Sequence, residues 1–334
     1  MGRAERETLR VLKEGGDTYQ ADLVRATGFS KATISEVLAS LEKRNLVRRT
    51  ALGRNSRVSL VGREPRHGKS IRFGFTRSAE YPFLIPLRRA LREEGILVDF
   101  RVYDNGVDAA RDLSNLRLDV AIAPIPTLFM FHALEAPFKL LGPAGSGGSS
   151  ILARPGGSSR EGGSAVCTKL STMELLMRSA LAHHAVPEVK TIAYAHGPAE
   201  IGEELMSGSA DLCSIWEPYA TLLEARGARR LLRYSDISDH VCCALAAGNH
   251  LGEPFVARLA KRHTAALEEL RRDREGPISS YSSLAGLESA LVRKVTREYT
   301  YPSGLSPRAL VAQLEDAGVT TPSPSSFQDA IVRE

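Results

Sequence analysis

The sequence contains little that marks a secreted or metal-stabilised protein. It has four cysteines in 334 residues. Cys167 and Cys213 stand alone and Cys242 and Cys243 are adjacent, so no pair has the C-x-x-C spacing of a metal site. Adjacent cysteines within an apolar run are typical of small buried side chains. We therefore predict no metal ligand and no cofactor.

Long apolar runs are also absent. No stretch approaches the roughly 20 apolar residues that span a bilayer, so we expect no membrane partner. Met1–Lys13 is charged and amphipathic, without the apolar core or the cleavage site of a secretion signal. These features predict a cytoplasmic protein.

Positive charge is concentrated at one end of the chain. Residues 1–70 carry 15 Lys and Arg against 8 Asp and Glu, a net charge of +7. The other 264 residues carry 29 against 31, a net charge of −2. A basic end on a near-neutral body is typical of a protein that binds a polyanion. A basic surface that is merely solvated is the alternative interpretation.

Apolar residues at helical spacing predict three helices in the basic end. The first covers Glu5–Glu14, the second ends near Thr27, and the third follows Ser30 as its cap. Asp17 or Thr18 is expected to cap the second helix, because a short side-chain oxygen accepts a hydrogen bond from free N–H groups of the first turn.

A glycine turn and a hairpin complete this pattern. Gly28 supplies the tight turn between the second and third helices. Two short strands, Leu46–Arg49 and Arg57–Val61, are predicted to be joined by a basic loop over Ala51–Ser56.

This order of elements resembles the winged helix-turn-helix domains of MarR- and TrmB-like regulators. The resemblance covers about residues 5–62 and is carried by the stretch GFSKATISEVLASLEKRNLVRR. It implies a DNA-binding domain over residues 1–62 whose third helix enters the major groove of double-stranded DNA. The same fold also mediates protein–protein contacts, which is the alternative. The predicted DNA-binding residues are Ser30, Lys31, Thr33, Ser35 and Glu36 in the third helix and Arg54, Asn55 and Arg57 in the wing.

Beyond a polar linker at residues 63–70, the pattern changes. Strands alternate with helices over residues 71–153 and again over residues 165–234, which predicts mainly parallel sheets covered by helices. The Gly/Ser-rich tract Gly142–Ser164 is interpreted as a flexible connector, since it has no phosphate-binding G-x-x-x-x-G-K-[ST] motif. The apolar run Asp239–Ala247 is expected to cross back to the first block. Predicted C-terminal helices are Pro254–Arg272, Leu284–Tyr299 and Pro307–Gly318, the last capped by Ser306.

The body resembles the type 2 periplasmic-binding-protein fold. The stretches NGVDAARDLSNLRLDVAIA and GPAEIGEELMSGSADLCSIWEPYA each contain a helix, a turn, an Asp and an apolar strand. They are similar to segments of the solute-binding proteins for sulfonates (SsuA and TauA), nitrate and thiamine-type pyrimidines. The resemblance implies an α/β body over residues 71–334 with two lobes. Lobe 1 would cover about residues 71–155 and 240–334, and lobe 2 about residues 164–236.

In such a fold the ligand lies between the lobes, at strand C-termini and helix N-termini, where free N–H groups favour anions and polar atoms. Tyr81 and Trp216 are candidates to hold a flat ring, and Arg77 or Ser171 to hold a carboxylate, sulfonate or phosphate. Capping, surface exposure or core packing is the simpler alternative for each. The candidate ligand-binding residues are Thr76, Arg77, Ser78, Tyr81, Pro124, Thr127, Ser171, Thr172, His196, Trp216 and Glu217.

Together these features predict a one-component transcriptional regulator. A small-molecule effector between the lobes would change how paired reading helices fit an operator, which requires a homodimer. The alternative is a cytoplasmic homologue of solute-binding proteins, or an enzyme of thiamine-pyrimidine or menaquinone-type biosynthesis. No G-x-S-x-G, H-E-x-x-H or paired-carboxylate motif occurs, so we do not expect an enzyme.

Overall fold

A computed structural model of the chain describes residues 2–15, 18–44, 46–52, 55–60, 70–156, 163–237, 241–316, 318 and 330–332. The chain divides into two compact units, one of residues 1–68 and 250–252 and a larger body of residues 69–249 and 253–334. Within the described ranges, no helix has both the length and the apolar character that crossing a bilayer requires.

The N-terminal unit combines helices with a small antiparallel sheet. Its described elements are α1 (Arg3–Gly15), β1 (Thr18–Tyr19), α2 (Gln20–Thr27), α3 (Lys31–Lys43), β2 (Val47–Leu52) and β3 (Asn55–Leu60). Strand β3 lies between β1 and β2 and is antiparallel to both. The apolar stripes of the helices meet the sheet in one core, formed by Leu9, Leu12, Leu23, Ile34, Leu38, Leu41, Val47 and Val58.

The predicted turn between α2 and α3 is present. Gly28 has φ of 71°, a left-handed conformation that glycine adopts without strain, and its N–H donates to the Val24 carbonyl. The Ser30 hydroxyl accepts a hydrogen bond from the Thr33 amide at 3.1 Å and so caps α3 as expected.

Two local predictions in this unit are wrong. The predicted Thr18 cap of α2 is absent, since α2 starts at Gln20 after Tyr19 and Thr18 pairs with Val58 in the sheet. Asp17, the other predicted cap, lies outside the described residues. The hairpin strands also extend further than predicted. Leu52 pairs with Asn55, which leaves a shorter turn than the predicted loop over residues 51–56. Residues 61–69, which include most of the predicted linker, lie outside the described residues.

The body is built in three runs of chain. The first contains β4 (Ser70–Thr76), α4 (Leu84–Glu93), β5 (Leu97–Tyr103), α5 (Gly106–Ser114), β6 (Val120–Pro124), α6 (Ile125–Ala133) and β7 (Phe138–Gly147). The second contains β8 (Ser149–Ala153), β9 (Gly163–Thr168), α7 (Thr172–Ala182), β10 (Val189–Ala195), α8 (Pro198–Ser207), β11 (Leu212–Trp216), α9 (Tyr219–Ala225) and β12 (Arg229–Arg233). The third contains β13 (Val241–Gly248), α10 (Glu253–Arg272), α11 (Ile278–Ala285), α12 (Ser289–Val295), β14 (Tyr299–Thr300) and α13 (Pro307–Asp316).

These runs form two lobes, each on a mixed sheet. Lobe 1 has the strand order β14-β7-β13-β6-β4-β5, and lobe 2 has the order β10-β9-β11-β8-β12. The prediction of mainly parallel sheets is wrong. Among the described strands, β4 is parallel to β5 and β6 in lobe 1, and β9 is parallel to β10 and β11 in lobe 2. The other strand pairs are antiparallel. Strands β8 and β13 each enter directly from the neighbouring lobe, without the crossover helix that a parallel connection needs.

The Gly/Ser-rich tract is not a flexible connector over its first part. Residues 142–147 belong to β7 and residues 149–153 to β8, and all of them are buried. The chain therefore changes lobes at Gly148, earlier than the predicted boundary near residue 155. Residues 157–162, also in the tract, lie outside the described residues.

The glycines of β7 are explained by packing. A Cβ at Gly142 would lie 2.8 Å from Nδ1 of His263, and one at Gly145 would lie 2.9 Å from Cγ of Glu80. Both glycines leave room for large side chains that reach the strand from other elements.

The predicted helix Leu284–Tyr299 is also wrong. Helix α11 ends before Gly286, whose φ of 65° is a left-handed helix cap, and α12 starts only at Ser289. Tyr299 lies in β14 and pairs with Gly147. Helix α13 begins at Pro307 as predicted, with the Ser306 hydroxyl accepting from the Ala309 amide at 3.3 Å.

Candidate functional site

A cleft lies between the two lobes, with about 380 Å³ of space free of protein atoms, part of which is open solvent. The C-terminal ends of β4, β6, β9 and β11 and the N-terminal ends of α5 and α7 form its wall, as expected for ligand sites in α/β sheets. The lining residues are Thr76, Ser78, Glu80, Tyr81, Asn105, Gly106, Pro124, Thr168, Ser171, Thr172, Met173, Trp216, Cys242 and Cys243.

Helix N-termini reach the cleft from both lobes. In lobe 1, the Asn105 side chain accepts a hydrogen bond from the Asp108 amide at 2.8 Å and caps α5. In lobe 2, the Ser171 hydroxyl accepts from the Met173 and Glu174 amides and caps α7. The N-terminus of a helix carries partial positive charge, so both ends favour an acceptor atom of a ligand.

Hydrogen bonds join the lobes directly beside the cleft. They connect the Trp216 indole N–H to the Arg77 carbonyl (2.8 Å), the Thr172 hydroxyl to the Cys242 carbonyl (2.8 Å), and the Ala79 amide to the Glu217 carbonyl (3.1 Å). Main-chain carbonyls accept all three bonds, which connect the two lobes around the cleft.

Below Trp216, the cleft floor contains ionisable groups that are almost fully buried. Glu80 is 3 % exposed, and its Oε1 atom has no hydrogen-bond partner among the described residues. Burial raises the pKa of this carboxyl well above its ordinary value. Burial also raises the pKa of Tyr81, whose hydroxyl donates to the Cys243 sulfur at 3.3 Å.

The pKa values of the two adjacent thiols are shifted in opposite directions. A hydrogen bond from the Cys243 thiol lowers the pKa of Cys242, and burial raises the pKa of Cys243. None of the lining residues within the described ranges is Arg or Lys. The described lining residues therefore supply one carboxyl group and two sulfur atoms, together with the N-termini of two helices.

Seven of the eleven predicted ligand residues line the cleft, namely Thr76, Ser78, Tyr81, Pro124, Ser171, Thr172 and Trp216. Tyr81 packs edge-on against Phe75 and Phe83, so most of its ring belongs to the lobe 1 core. Trp216 packs edge-on against Tyr219.

The structure places two other predicted ligand residues in structural contacts. Arg77 donates to the Ala285 carbonyl at 2.9 Å, and Thr127 donates to the Leu170 carbonyl. Neither side chain lines the cleft, because each bonds to a main-chain carbonyl elsewhere.

Glu217 is also structural. It is fully buried, accepts from Arg230 at 2.8 Å and from the Thr221 amide at 3.1 Å, and so caps α9. The hydrogen bonds to Glu224 and Glu217 outweigh the burial that would lower the pKa of Arg230, and they raise it.

His196 lies at the mouth instead of inside. Its Nε2 atom is 3.0 Å from Nδ2 of Asn105 and 2.9 Å from Oδ2 of Asp108, both at the N-terminus of α5 in the other lobe. The imidazole is largely exposed, with 68 % of its side chain accessible. It therefore links the two rims of the cleft and does not line it.

Sequence reasoning missed seven lining residues, namely Glu80, Asn105, Gly106, Thr168, Met173, Cys242 and Cys243. A usable signal existed for Asn105, since an Asn directly before a helical pattern indicates a cap. For Glu80 and the cysteines no local pattern exists, because long-range packing brings them together.

In the N-terminal unit, Ser30, Lys31 and Glu36 are exposed, and Thr33 and Ser35 are half-buried. The Ser30 and Thr33 hydroxyls lie 2.8 Å apart, so both take part in the cap of α3. Arg54 and the side chains of Asn55 and Arg57 lie outside the described residues.

Comparison with known proteins identifies the fold of the body. The ligand-binding component of an ABC-type import system from Staphylococcus aureus, solved with zinc bound, matches with a TM-score of 0.66 at 16% identity over 78% of this chain and 99% of its own. The alkanesulfonate-binding protein SsuA from Xanthomonas axonopodis pv. citri, bound to MOPS, matches with a TM-score of 0.64 at 19% identity over 79% of this chain and 98% of its own. The periplasmic aliphatic sulphonate-binding protein SsuA from Escherichia coli has a TM-score of 0.62 at 16% identity, covering 79% and 92%.

The body thus has the type 2 periplasmic-binding-protein fold expected from the sequence. At these identities the likeness shows the fold alone. These neighbours are solute-binding proteins, not enzymes. The family described as "Domain of unknown function (DUF7343)" matches residues 2–61, which is the N-terminal unit. No curated protein matches the sequence at a significant level.

Proposed function

We propose that the body is a small-molecule-binding module that holds its ligand between the two lobes. The observation that carries this proposal is the convergence of two capped helix N-termini, at Asn105 and Ser171, on one cleft from opposite lobes. Strand ends supply further polar atoms there, and Trp216 supplies an aromatic wall. Ligand sites commonly combine an apolar wall with a few convergent polar groups in this way.

The cleft chemistry favours a neutral polar or heteroaromatic ligand over a strong anion. The sulfonate-binding neighbours suggest an anion, but Arg77 does not line this cleft and Glu80 does. A sulfonate or carboxylate would have only the helix ends to compensate its charge, because Glu80, protonated or ionised, supplies no positive charge and no Arg or Lys is among the described lining residues. A flat molecule such as a thiamine-type pyrimidine fits Trp216 and the two helix ends better.

Trp216 provides the test, because it is the sole tryptophan of the chain and lines the cleft. Titration of the full-length protein with pyrimidines and, separately, alkanesulfonates should change tryptophan fluorescence saturably for the pyrimidine class. Ser171→Ala should weaken binding about tenfold, since the capped helix end loses its order. Ser209→Ala, an exposed serine of lobe 2 away from the cleft, is the matched control.

A protein whose fluorescence responds to neither class, and which carries no small molecule in native mass spectrometry after purification, would contradict the proposal. Tighter binding of the sulfonates would retain the cleft and overturn the argument from Glu80.

A second function is proposed for the N-terminal unit, namely binding of double-stranded DNA as a winged helix. The order of its elements, the exposure of Lys31 and Glu36 on α3 and the net charge of +7 over residues 1–70 support it. With both functions, the chain would be a one-component transcriptional regulator, active as a homodimer. A solute-binding homologue that does not bind DNA is the alternative, and the solved neighbours favour it.

Selection of bound duplexes from a random pool, followed by anisotropy titrations, distinguishes a DNA-binding regulator from a solute-binding homologue that does not bind DNA. Under the DNA-binding proposal, Lys31→Ala should weaken specific binding more than about fivefold, consistent with loss of a base or phosphate contact. Arg54→Ala with Arg57→Ala should reduce the dependence of affinity on salt. Lys190→Ala, which removes the same charge from an exposed site on the body, should change neither. Equal affinity for selected and random duplexes would contradict sequence-specific DNA binding.

A further inference from the structure

Cys242 and Cys243 face the same space, which adjacent residues of a regular strand do not do. Val241 pairs with Ser146 and Cys243 with Gly145, so Cys242 is an extra residue in β13 opposite β7. Such a bulge re-aims side chains. As a result both thiols line the cleft, with their sulfur atoms 3.7 Å apart.

Glu80 completes a group of three potential ligands. One ligand atom each from Glu80, Cys242 and Cys243 lies within 4.8 Å of the others, and all three residues are buried. No other such group of three occurs in the part of the chain that the structure describes. Glu80 enters the floor from the loop after β4 and fits over Gly145, where any side chain would displace it.

A buried carboxylate oxygen without a partner needs a reason, because burial of an unpaired polar group costs free energy. Oε1 of Glu80 is such an atom among the described residues. Hydrogen bonds from Tyr81 and Cys243 to the Glu80 carboxyl lower its pKa by less than burial raises it, so they offset only part of this cost. A cation held between the carboxylate and the two sulfurs would compensate it.

We propose that Glu80, Cys242 and Cys243 bind a thiophilic divalent cation such as Zn²⁺ at the floor of the cleft. Zn–S bonds of about 2.3 Å place two sulfurs of a tetrahedral site about 3.8 Å apart, close to the 3.7 Å separation here. A disulfide would require about 2.05 Å. Three protein ligands leave a fourth position, which faces the cleft.

Binding releases protons. The two thiols and the Glu80 carboxyl each lose one proton to solvent, and one divalent cation takes the place of the three protons. The net charge of the site therefore becomes more negative by one. Tyr81 donates to the Cys243 sulfur and would stabilise its thiolate. The Thr172 hydroxyl, at the N-terminus of α7, donates to the main-chain carbonyl of Cys242.

The proposal rests on the proposed function, because it names a ligand class for the same cleft. The two can nevertheless fail separately. Metal binding is measured with the metal alone, and binding of organic molecules is measured on protein freed of metal with a chelator.

The experiment uses the full-length protein, reduced and stripped of metal, titrated with Cd²⁺ as a probe of thiolate ligation and then with Zn²⁺. Ultraviolet thiolate-to-metal charge-transfer absorbance should rise to a limit at one equivalent per chain, with a matching zinc content by elemental analysis. Cys242→Ser and Cys243→Ser should each weaken binding by more than about 100-fold, since loss of an outer-shell partner alone costs about 10–100-fold. Glu80→Gln should weaken it as well.

Cys167→Ser is the matched control, because this thiol is equally buried in lobe 2 but does not line the cleft. It should bind Cd²⁺ as the unmodified protein does. Melting curves of each variant without metal separate a lost ligand from a lost fold, and Glu80→Gln is expected to remain folded.

Stoichiometric Cd²⁺ binding by Cys242→Ser/Cys243→Ser would overturn the site, as would its absence in the reduced unmodified protein. A disulfide between the two thiols after purification without reductant would overturn it in favour of a redox pair. Organic ligands that bind a protein unable to bind Cd²⁺ would refute the metal site and leave the proposed function intact. A protein that binds Cd²⁺ but none of the organic ligands would refute the proposed function and leave the metal site intact.

Discussion

His263 offers a sharp test of the body's packing. It lies on α10, is fully buried, and its ring packs edge-on against Phe83 with the ring centres 5.1 Å apart. Neither ring nitrogen has a hydrogen-bond partner among the described residues. Burial, with a smaller contribution from Arg271, lowers the pKa of this imidazole from 6.5 to about 3. His263→Leu removes the titrating ring.

The expected magnitude follows from proton linkage. Between the unfolded pKa of 6.5 and the folded pKa of about 3, the unfolded chain binds a proton at His263 and the folded chain does not. The free energy of unfolding therefore falls as the pH falls through this window, by about 1.4 kcal/mol per pH unit. At pH 5 the loss from this single residue is about 2 kcal/mol. Above pH 7 the residue contributes no pH dependence.

Denaturant unfolding at pH 7.5 and pH 5, followed by Trp216 fluorescence, measures this in the body alone, since no tryptophan lies elsewhere. His263→Leu should be at least as stable as the unmodified protein at pH 7.5 and more stable by about 2 kcal/mol at pH 5. His183→Gln, at an exposed position, is the control and should follow the unmodified protein at both pH values. An equal difference between His263→Leu and the unmodified protein at pH 7.5 and pH 5 would refute a neutral, desolvated imidazole.

Other contacts yield further expectations. Arg230→Met should destabilise the body by about 3–5 kcal/mol, because it leaves the buried carboxylate of Glu217 uncompensated, and Arg230→Met/Glu217→Met should recover much of this loss in the same unfolding assay. Gly145→Ala should weaken Cd²⁺ binding more than about tenfold by displacing Glu80, as judged by charge-transfer absorbance. His196→Ala should accelerate ligand release in stopped-flow fluorescence, because it removes the contact between the cleft rims, and should change stability by less than about 0.5 kcal/mol. An unaltered release rate would mean that the rims are held elsewhere.

Features that depend on a few consecutive residues could be predicted from the sequence. The caps at Ser30 and Ser306 and the turn at Gly28 follow from local hydrogen bonding and backbone geometry. Thr76 and Trp216 end strands, and strand ends in this fold meet at one cleft, so their place in the wall was also predictable.

What could not be predicted depends on partners far apart in the chain. The glycines of β7 suggested a flexible tract, because nothing near them in sequence shows that Glu80 and His263 fill the space beside them. The bulge at Cys242 depends on how β13 pairs with β7, which the cysteine spacing does not reveal. Arg77 and Glu217 have residue types and positions that suit ligand binding. In the structure, however, Arg77 bonds to the Ala285 carbonyl and Glu217 pairs with the buried Arg230.

Glu80 and His263 respond to pH in opposite directions, which separates packing from function. The pKa of Glu80 is raised by burial, so its contribution to stability is complete below pH 4.5 and is lost as the pH rises toward the folded pKa. Glu80→Gln should therefore be more stable than the unmodified protein at pH 7. The difference should be about 1.4 kcal/mol for each pH unit between 4.5 and the folded pKa of Glu80, or between 4.5 and the solution pH if that is lower. His263 contributes no comparable proton-linked penalty at pH 7, because its imidazole is mostly neutral at that pH in both the folded and the unfolded chain. Suppose that Cd²⁺ makes the unmodified protein as stable as Glu80→Gln and leaves the stability of Glu80→Gln unchanged. Burial of Glu80 then destabilises the metal-free protein because this carboxylate is a metal ligand. If both proteins respond equally to Cd²⁺, the carboxylate is not a ligand.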